Sequence, residues 1–344
     1  MLKTILLDED FLKAIISSLI LIILGFVLRR TKIVGNKTKK ILCFIVLKIS
    51  LPVLAFTAFL NDFNKQKFRE NLIIFLLSFG FFLFFLFLGN LIFRRYPKEK
   101  RKVYAIFISI GQLTFFSIPV LKAIYGDNVM IMVNMVTFPF RFILYIYCYF
   151  AISKLSLSKE NIKGSLKKFL LNPIMIAMFV GLIIWLTQNV MIHVGENQYS
   201  LFRIDQTVPI LYKILRVIQW FATPLAMLII GITLGESKIG DAFKDKMAWI
   251  CSIFRTILVP LIILGILIIL SITNMYVFSA MAAGCLVIGF AAPLSAVVNT
   301  YCMHYQNEAD CASRTCFLST ILCVISIPTL YVLIEVLVSA GIFC

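Results

Sequence analysis

Long apolar runs alternate with short polar or basic segments along the whole chain of 344 residues. A run of 18 or more apolar residues indicates a transmembrane helix, because about 20 residues at a rise of 1.5 Å each cross the hydrocarbon core of about 30 Å. The pattern predicts an all-α polytopic membrane protein with ten transmembrane helices. The predicted spans are 11–28, 41–60, 71–93, 103–124, 129–152, 173–190, 210–235, 248–272, 276–302 and 311–340.

The positions of four prolines repeat between the two halves of the chain. Pro52 and Pro119, in spans 2 and 4, are 67 residues apart, and Pro224 and Pro293, in spans 7 and 9, are 69 residues apart. Each half contains five spans, an odd number, so the second half must be inverted in the membrane. The sequence therefore predicts two inverted five-helix repeats, 1–152 and 173–344, joined by a basic cytoplasmic linker at 153–172.

The paired prolines also indicate where a binding site lies. Proline removes a backbone donor and clashes with the carbonyl four residues back, and lipid tolerates the freed groups only beside protein or a water-filled cavity. We expect spans 4 and 9 to be broken crossover helices that meet near the membrane centre. Their N-terminal ends, each carrying about half a positive charge, would suit an anionic carboxylate. The alternative is that these prolines only kink continuous helices.

Composition and charge indicate that the chain lies in a membrane and how it is oriented there. Mean hydropathy is +0.99 and 14 % of the residues are charged, whereas a soluble domain carries about 25 %, which excludes a soluble enzyme or nucleic-acid-binding protein. The connections on one predicted side hold 20 Lys and Arg residues, against 5 on the other. By the positive-inside rule both termini are external. The net charge of +17 thus indicates orientation in a lipid bilayer, most simply the inner or plasma membrane of a cell.

The chain lacks the sequence signs of catalysis. Its two histidines, His193 and His304, fall in or beside predicted loops. No P-loop, nucleophile elbow, HExxH or GxGxxG motif is present, and the cysteines have no metal-ligand spacing. We predict no enzymatic activity, no cofactor and no metal site.

One arginine lies deep in a predicted span. Arg141 is about 12 residues into span 5, where an arginine costs about 2.5–3.5 kcal/mol on insertion scales. It either binds an organic anion or caps the carbonyls of a broken helix. Arg255 is a second candidate that could instead snorkel to the interface. The full set of candidate substrate-binding residues is Gln112, Thr114, Ser117, Pro119, Asn134, Arg141, Pro293, Ser295, Asn299 and Arg255.

Four stretches resemble a known family. AAPLSAVVNTY precedes ASRTCFLSTILCVISIP near the C-terminus, and ISLPVLAFTAF, LKKFLLNPIMIAMFVGLII and TPLAMLIIGITLGES occur earlier, in spans 2, 6 and 7. In this order, within a ten-span plan, they resemble the auxin efflux carrier family, which includes bacterial malonate and malate permeases. The resemblance covers essentially the whole chain.

The resemblance implies a bile-acid-carrier-like fold, with a scaffold of spans 1, 2, 6 and 7 and a transport domain of spans 3–5 and 8–10. It also implies elevator-like alternating access and a homodimer formed through the scaffold helices. The expected function is secondary transport of a small organic anion such as a mono- or dicarboxylate. The chain departs from the family's asparagine-rich crossover around Gln112 and has Val297 in place of a frequent asparagine. A transporter-derived receptor or regulatory protein is therefore the alternative.

Overall fold

The computed structural model describes residues 9–62, 65–153, 159–188, 191–194, 197–200, 202–236 and 239–344. Helices dominate, as the apolar pattern predicts, and residues 154–158 of the predicted linker lie outside the described part. The helices are α1 (Glu9–Arg30), α2 (Asn36–Thr57), α3 (Lys65–Ile92), α4 (Lys98–Ser109), α5 (113–125), α6 (130–153), α7 (Lys159–Leu170), α8 (Pro173–Leu186), α9 (Ile204–Thr207), α10 (Pro209–Trp220), α11 (Ala222–Glu236), α12 (Ile239–Lys244), α13 (Lys246–Ile272), α14 (Ala280–Phe290), α15 (Ala296–His304) and α16 (Ala309–Ser339).

One feature departs from the all-α prediction. Strands β1 (Met191–Val194) and β2 (Asn197–Ser200) form an antiparallel hairpin between α8 and α9. The hairpin lies in the connection between predicted spans 6 and 7, outside the apolar runs, so the helical prediction holds for the apolar segments themselves.

Six helical segments among the described residues are long and apolar enough to cross a membrane, and α8 and α14 are shorter apolar helices. The ten predicted spans are not all single long helices, because spans 4 and 9 are interrupted. The 11 residues of α14 extend only about 16 Å, about half of the hydrocarbon core. The number ten and the inversion of the two halves remain predictions.

Three prolines each follow a π-helical segment by two residues. The segments Val46–Ser50, Leu113–Ser117 and Phe254–Leu258 precede Pro52, Pro119 and Pro260. A π turn contains an extra residue, and such bulges accommodate the ring and the missing donor without ending the helix. Pro119 is therefore buried inside the continuous helix α5, and the expectation that span 4 breaks at this proline is wrong. The break lies at 110–112.

The helices pack in two groups. In the first helix group (α1, α2, α8, α10 and α11), α1 lies along α11 and α2 contacts α8 and α10. In the second helix group (α3–α6 and α13–α16), α3 contacts α4 and α6, and α13 contacts α14 and α16. A Cβ atom at Gly231 of α11 would lie 1.9 Å from the carbonyl oxygen of Ile22, so glycine permits the close approach to α1. Helix α5 of the second helix group contacts both α1 and α11.

Candidate functional site

Two interrupted helices cross inside the second helix group. Residues 110–112 separate α4 from α5, and residues 291–295 separate α14 from α15. The two extended segments form an antiparallel bridge between Gly111 and Leu294. The backbone N–H of Leu294 also donates to Oγ of Ser319 in α16, at 3.0 Å.

Backbone hydrogen bonds join the two breaks directly. The N–H of Gln112 donates to the carbonyl of Pro293 at 2.7 Å, and the N–H of Ser295 donates to the carbonyl of Ile110 at 3.2 Å. An unpaired backbone group in an apolar interior is costly, so mutual pairing makes two helix breaks tolerable at this depth. The predicted crossover of spans 4 and 9 is present, and the two segments pair at these residues.

Arg255 donates hydrogen bonds to backbone carbonyls at the C-terminal ends of both broken helices. Its side chain is fully buried, and its Nε donates to the carbonyl of Ala292 at 2.9 Å. Its Nη1 donates to the carbonyls of Ser109 at 2.6 Å and Ile108 at 3.4 Å. A cation at these C-terminal ends complements the negative end of each helix dipole. Arg255 thus has the capping role that the sequence analysis considered for Arg141, and it does not snorkel to an interface.

Arg141 has a different environment at similar burial. Its side chain is 2 % exposed, and neither terminal nitrogen has a hydrogen-bond partner among the described residues. It lines a cavity of about 50 Å³, here called the inner cavity, together with Gln112, Thr114, Ser295 and Tyr145. The inner cavity therefore contains a buried guanidinium group whose two terminal nitrogens find no acceptor in the described part of the chain.

The N-terminal ends of α5 and α15 border the inner cavity. Gln112 and Ser295 are the residues that precede these helices, and neither side chain makes a capping hydrogen bond. The first turns of both helices thus lack side-chain acceptors for their N–H groups, and each N-terminus carries a partial positive charge. Two helix ends and one guanidinium make the inner cavity strongly favourable for an anion.

A larger cavity of about 410 Å³, here called the outer cavity, lies between α2 and α11 of the first helix group and α15 and α16 of the second. It shares Leu47, Gln112 and Phe115 with the inner cavity. Asn299 lines it, and the Oδ1 atom of this residue is buried without a hydrogen-bond partner among the described residues. The shared lining makes the two cavities neighbours.

The structure places the remaining predicted site residues away from both cavities. Ser117 is buried, and its Oγ donates to the carbonyl of Gly289 at 3.1 Å, which ties α5 to α14. Pro293 contributes its carbonyl to the crossover. The Nδ2 of Asn134 donates to the carbonyl of Ala55 at 3.0 Å, and Asn134 lines a separate apolar cavity between α3, α6 and α8.

Several residues of the crossover and the outer cavity were not predicted from the sequence, among them Ser319, Lys39 and Glu236. Ser319, whose Oγ accepts a hydrogen bond from the N–H of Leu294, lies in the stretch of α16 that resembles the family. That resemblance could have indicated Ser319 as a functional residue. Lys39 lines the outer cavity, but as a basic residue beside a predicted loop it had no distinguishing pattern.

A family model described as a membrane transport protein matches residues 10–331, which include both helix breaks and both arginines. The chain belongs to this family, the auxin efflux carrier family. The resemblance in the sequence is thereby confirmed. As a member of the auxin efflux carrier family, the protein is a multi-pass membrane transporter. A comparison with curated proteins finds no match.

Proposed function

We propose that this transporter is a secondary carrier that moves a small organic anion, such as a mono- or dicarboxylate, by way of the inner and outer cavities. The observation that carries the proposal is the unpartnered guanidinium of Arg141. Burying a charge without a partner costs several kcal/mol. A carboxylate bound to both terminal nitrogens would form a bidentate ion pair and offset that cost.

The charges around the cavities favour an anion over a cation. Of the described residues that line them, Glu236 is the single acidic one, and its carboxylate is paired with Lys39 in the outer cavity. A cation in the inner cavity would face Arg141 and two positive helix ends without a carboxylate to balance it. A carboxylate there would meet only favourable partial charges.

The packing of the helices supports elevator-like alternating access as the transport mechanism. The first helix group corresponds to the predicted scaffold, and the second, with both crossing helices, corresponds to the predicted transport domain. The outer cavity lies between the two groups, and by the positive-inside rule its Lys39 end faces the cytoplasm. We assign the exposed apolar residues Ile210, Ile214 and Val217 of α10 to the scaffold surface of a homodimer.

The test is uptake of labelled dicarboxylates and monocarboxylates into proteoliposomes by the wild type and by Arg141→Gln. We expect Arg141→Gln to lower uptake at least about 100-fold, since a charged hydrogen-bond partner is lost at a buried site. Arg141→Lys keeps the charge without the planar fork, and we expect it to recover only part of the rate. Arg95→Gln, at an exposed position before α4, is the control with unchanged uptake.

The same preparation distinguishes a carrier from a receptor. A receptor would be stabilised by the anion in a thermal-shift assay but would not accumulate it in the vesicles. If Arg141→Gln has the same uptake and the same melting temperature as the wild type, Arg141 is not part of the binding site. Absence of both binding and uptake for every carboxylate tested would refute the anion proposal.

A further inference from the structure

We propose a second anion-recognition site at the mouth of the outer cavity, where Lys39 is the first cation that a substrate carboxylate contacts and Glu236 is the internal carboxylate that it displaces. This inference rests on the proposed anion transport. It adds a specificity-determining pair that precedes the deep site at Arg141.

The pair is close and partly accessible, and a second cation, Arg29, leaves the group of three with a net positive charge. The Nζ of Lys39 lies 2.6 Å from Oε2 of Glu236, and Nη2 of Arg29 lies 3.4 Å from Oε1 of the same carboxylate. The side chains of Lys39 and Glu236 are 23 % and 26 % exposed. Arg29 is held further by Asn36 and by the carbonyl of Val34. Two cations thus share one carboxylate, and Lys39 is the one that lines the cavity.

A single face of α2 connects this pair to the inner cavity. Lys39, Cys43 and Leu47 are spaced four residues apart, so they lie on one side of the helix. All three line the outer cavity, and Leu47 also lines the inner cavity beside Arg141. The eight residue steps from Lys39 to Leu47 extend about 12 Å along the helix. The two carboxylates of a small dicarboxylate lie much closer together than this. Such a substrate would therefore contact Lys39 first and Arg141 afterwards.

Exchange of carboxylates at Lys39 is energetically inexpensive. A partly exposed ion pair contributes little to stability, so a substrate can replace Glu236 without a large barrier. A net positive charge at a cavity mouth also raises the local concentration of anions. Neutralising Glu236 should therefore strengthen anion entry. Neutralising Lys39 should weaken it, since the carboxylate of Glu236 would then face the cavity with less compensation.

Cys43 provides a probe of this potential that does not depend on transport. It is a free, half-buried cysteine between Lys39 and Leu47 on the cavity face of α2. We would measure its modification by an anionic sulfonatoethyl and a cationic trimethylammonium-ethyl methanethiosulfonate, with Cys43→Ala giving the background from other thiols. The ratio of the two rates reports the local potential, because changes in thiol reactivity affect both reagents alike.

We expect Glu236→Gln to raise the ratio of anionic to cationic rates at least about threefold and Lys39→Gln to lower it by a similar factor. The double variant should return near the wild-type ratio, and the differences should shrink in 1 M salt, where the Debye length is about 3 Å. Equal ratios in the wild type and both single variants would overturn the inference.

Transport kinetics then test whether this entry site recognises the substrate. For a carboxylate that the wild type transports, we expect KM to fall several-fold in Glu236→Gln and to rise several-fold in Lys39→Gln, with kcat nearly constant in both. Unchanged KM values would refute the role of Lys39 in recognition while leaving the proposal for Arg141 intact. A wild type that transports no carboxylate would refute the proposed function, and the ratio at Cys43 would still show the charge at the mouth.

Discussion

At the scale of single residues, the two buried arginines show how one residue type acquires two roles. Nε and Nη1 of Arg255 donate to three carbonyls at or just after the ends of α4 and α14, and its Nη2 has no partner among the described residues. Both terminal nitrogens of Arg141 lack such a partner. Hydropathy does not distinguish the two arginines, because each is a charged residue in an apolar run and is costly to insert into a membrane. The difference lies in partners such as Ser109, which is 146 residues from Arg255 in sequence.

Gly111 is the residue at which this arrangement can be tested most directly. A Cβ atom there would lie 1.9 Å from Nη2 of Arg255, so we expect Gly111→Ala to displace the guanidinium and lower the free energy of unfolding by about 1–3 kcal/mol, as overpacking does. The measurement is thermal unfolding of the purified protein in detergent.

Gly265→Ala is the matched control, because a Cβ atom at Gly265 in α13 would meet nothing within 4 Å. Alanine favours a helix over glycine by up to about 1 kcal/mol, so this variant should be as stable as the wild type or slightly more stable. Equal melting temperatures for Gly111→Ala and Gly265→Ala would contradict the close contact with Arg255.

At the scale of helices, an ion-pair cluster ties the end of α5 to α10. The Nζ of Lys122 lies 3.1 Å from Oδ1 of Asp127, and Nη1 of Arg216 donates to Oδ2 of the same carboxylate. Burial raises the pKa of Asp127, but the charges and hydrogen bonds of Lys122 and Arg216 outweigh it and hold this pKa below the ordinary value of 3.8. The cluster joins the second helix group to the first.

The direction of this shift sets the pH dependence of stability. Because the folded state favours the ionised carboxylate, the stabilisation by Asp127 is complete above the ordinary pKa and is lost as pH falls through the lower folded-state pKa. We expect Asp127→Asn to melt about 1–3 °C below the wild type from pH 5 to pH 8, since a partly exposed pair contributes about 1 kcal/mol or less. The difference should begin to shrink as pH falls through 3.8 and vanish only below the still lower folded-state pKa. Asp241→Asn, an exposed acid in α12, serves as the control; an equal effect there would count against the cluster.

At the scale of the whole molecule, the arrangement of two helix groups around a crossover has a mechanical consequence. The proposed elevator movement must slide α5 past α10, so the contact between Asp127 and Arg216 must break in each cycle. An ion pair between the buried Arg203 and the exposed Asp62 joins the segment before α9 to the segment after α2. Both segments adjoin helices of the first helix group, so this pair should stay together throughout.

Cross-linking tests that difference. In the double variant Asp127→Cys and Arg216→Cys, a short bifunctional thiol reagent should reduce uptake by more than about 90 %, and a reducible linker should restore it after cleavage, because gating motions of this kind are required for turnover. The pair Asp62→Cys and Arg203→Cys, cross-linked in the same way, should keep its uptake. Full uptake after cross-linking of Asp127→Cys to Arg216→Cys would argue against relative movement of the two helix groups.

Much of the fold was predictable because hydropathy is a local and additive property. The apolar runs around α3, α13 and α16 determined their membrane-spanning character, and the stretch before Pro328 carried the family resemblance. Proline chemistry identified the region of both helix breaks. It misplaced the break of span 4, because a π turn before Pro119 accommodates the ring and the chain is interrupted near Gly111 instead.

The sequence alone determined that this protein is a helical membrane protein of a transporter family. Only the tertiary structure decided which arginine has both terminal nitrogens without a partner among the described residues, where the crossing segments pair, and that Lys39 meets Glu236 from 197 residues away. The physical reason is that membrane insertion depends on residues near each other in the chain. Hydrogen bonds and ion pairs depend on residues that folding brings together from distant helices.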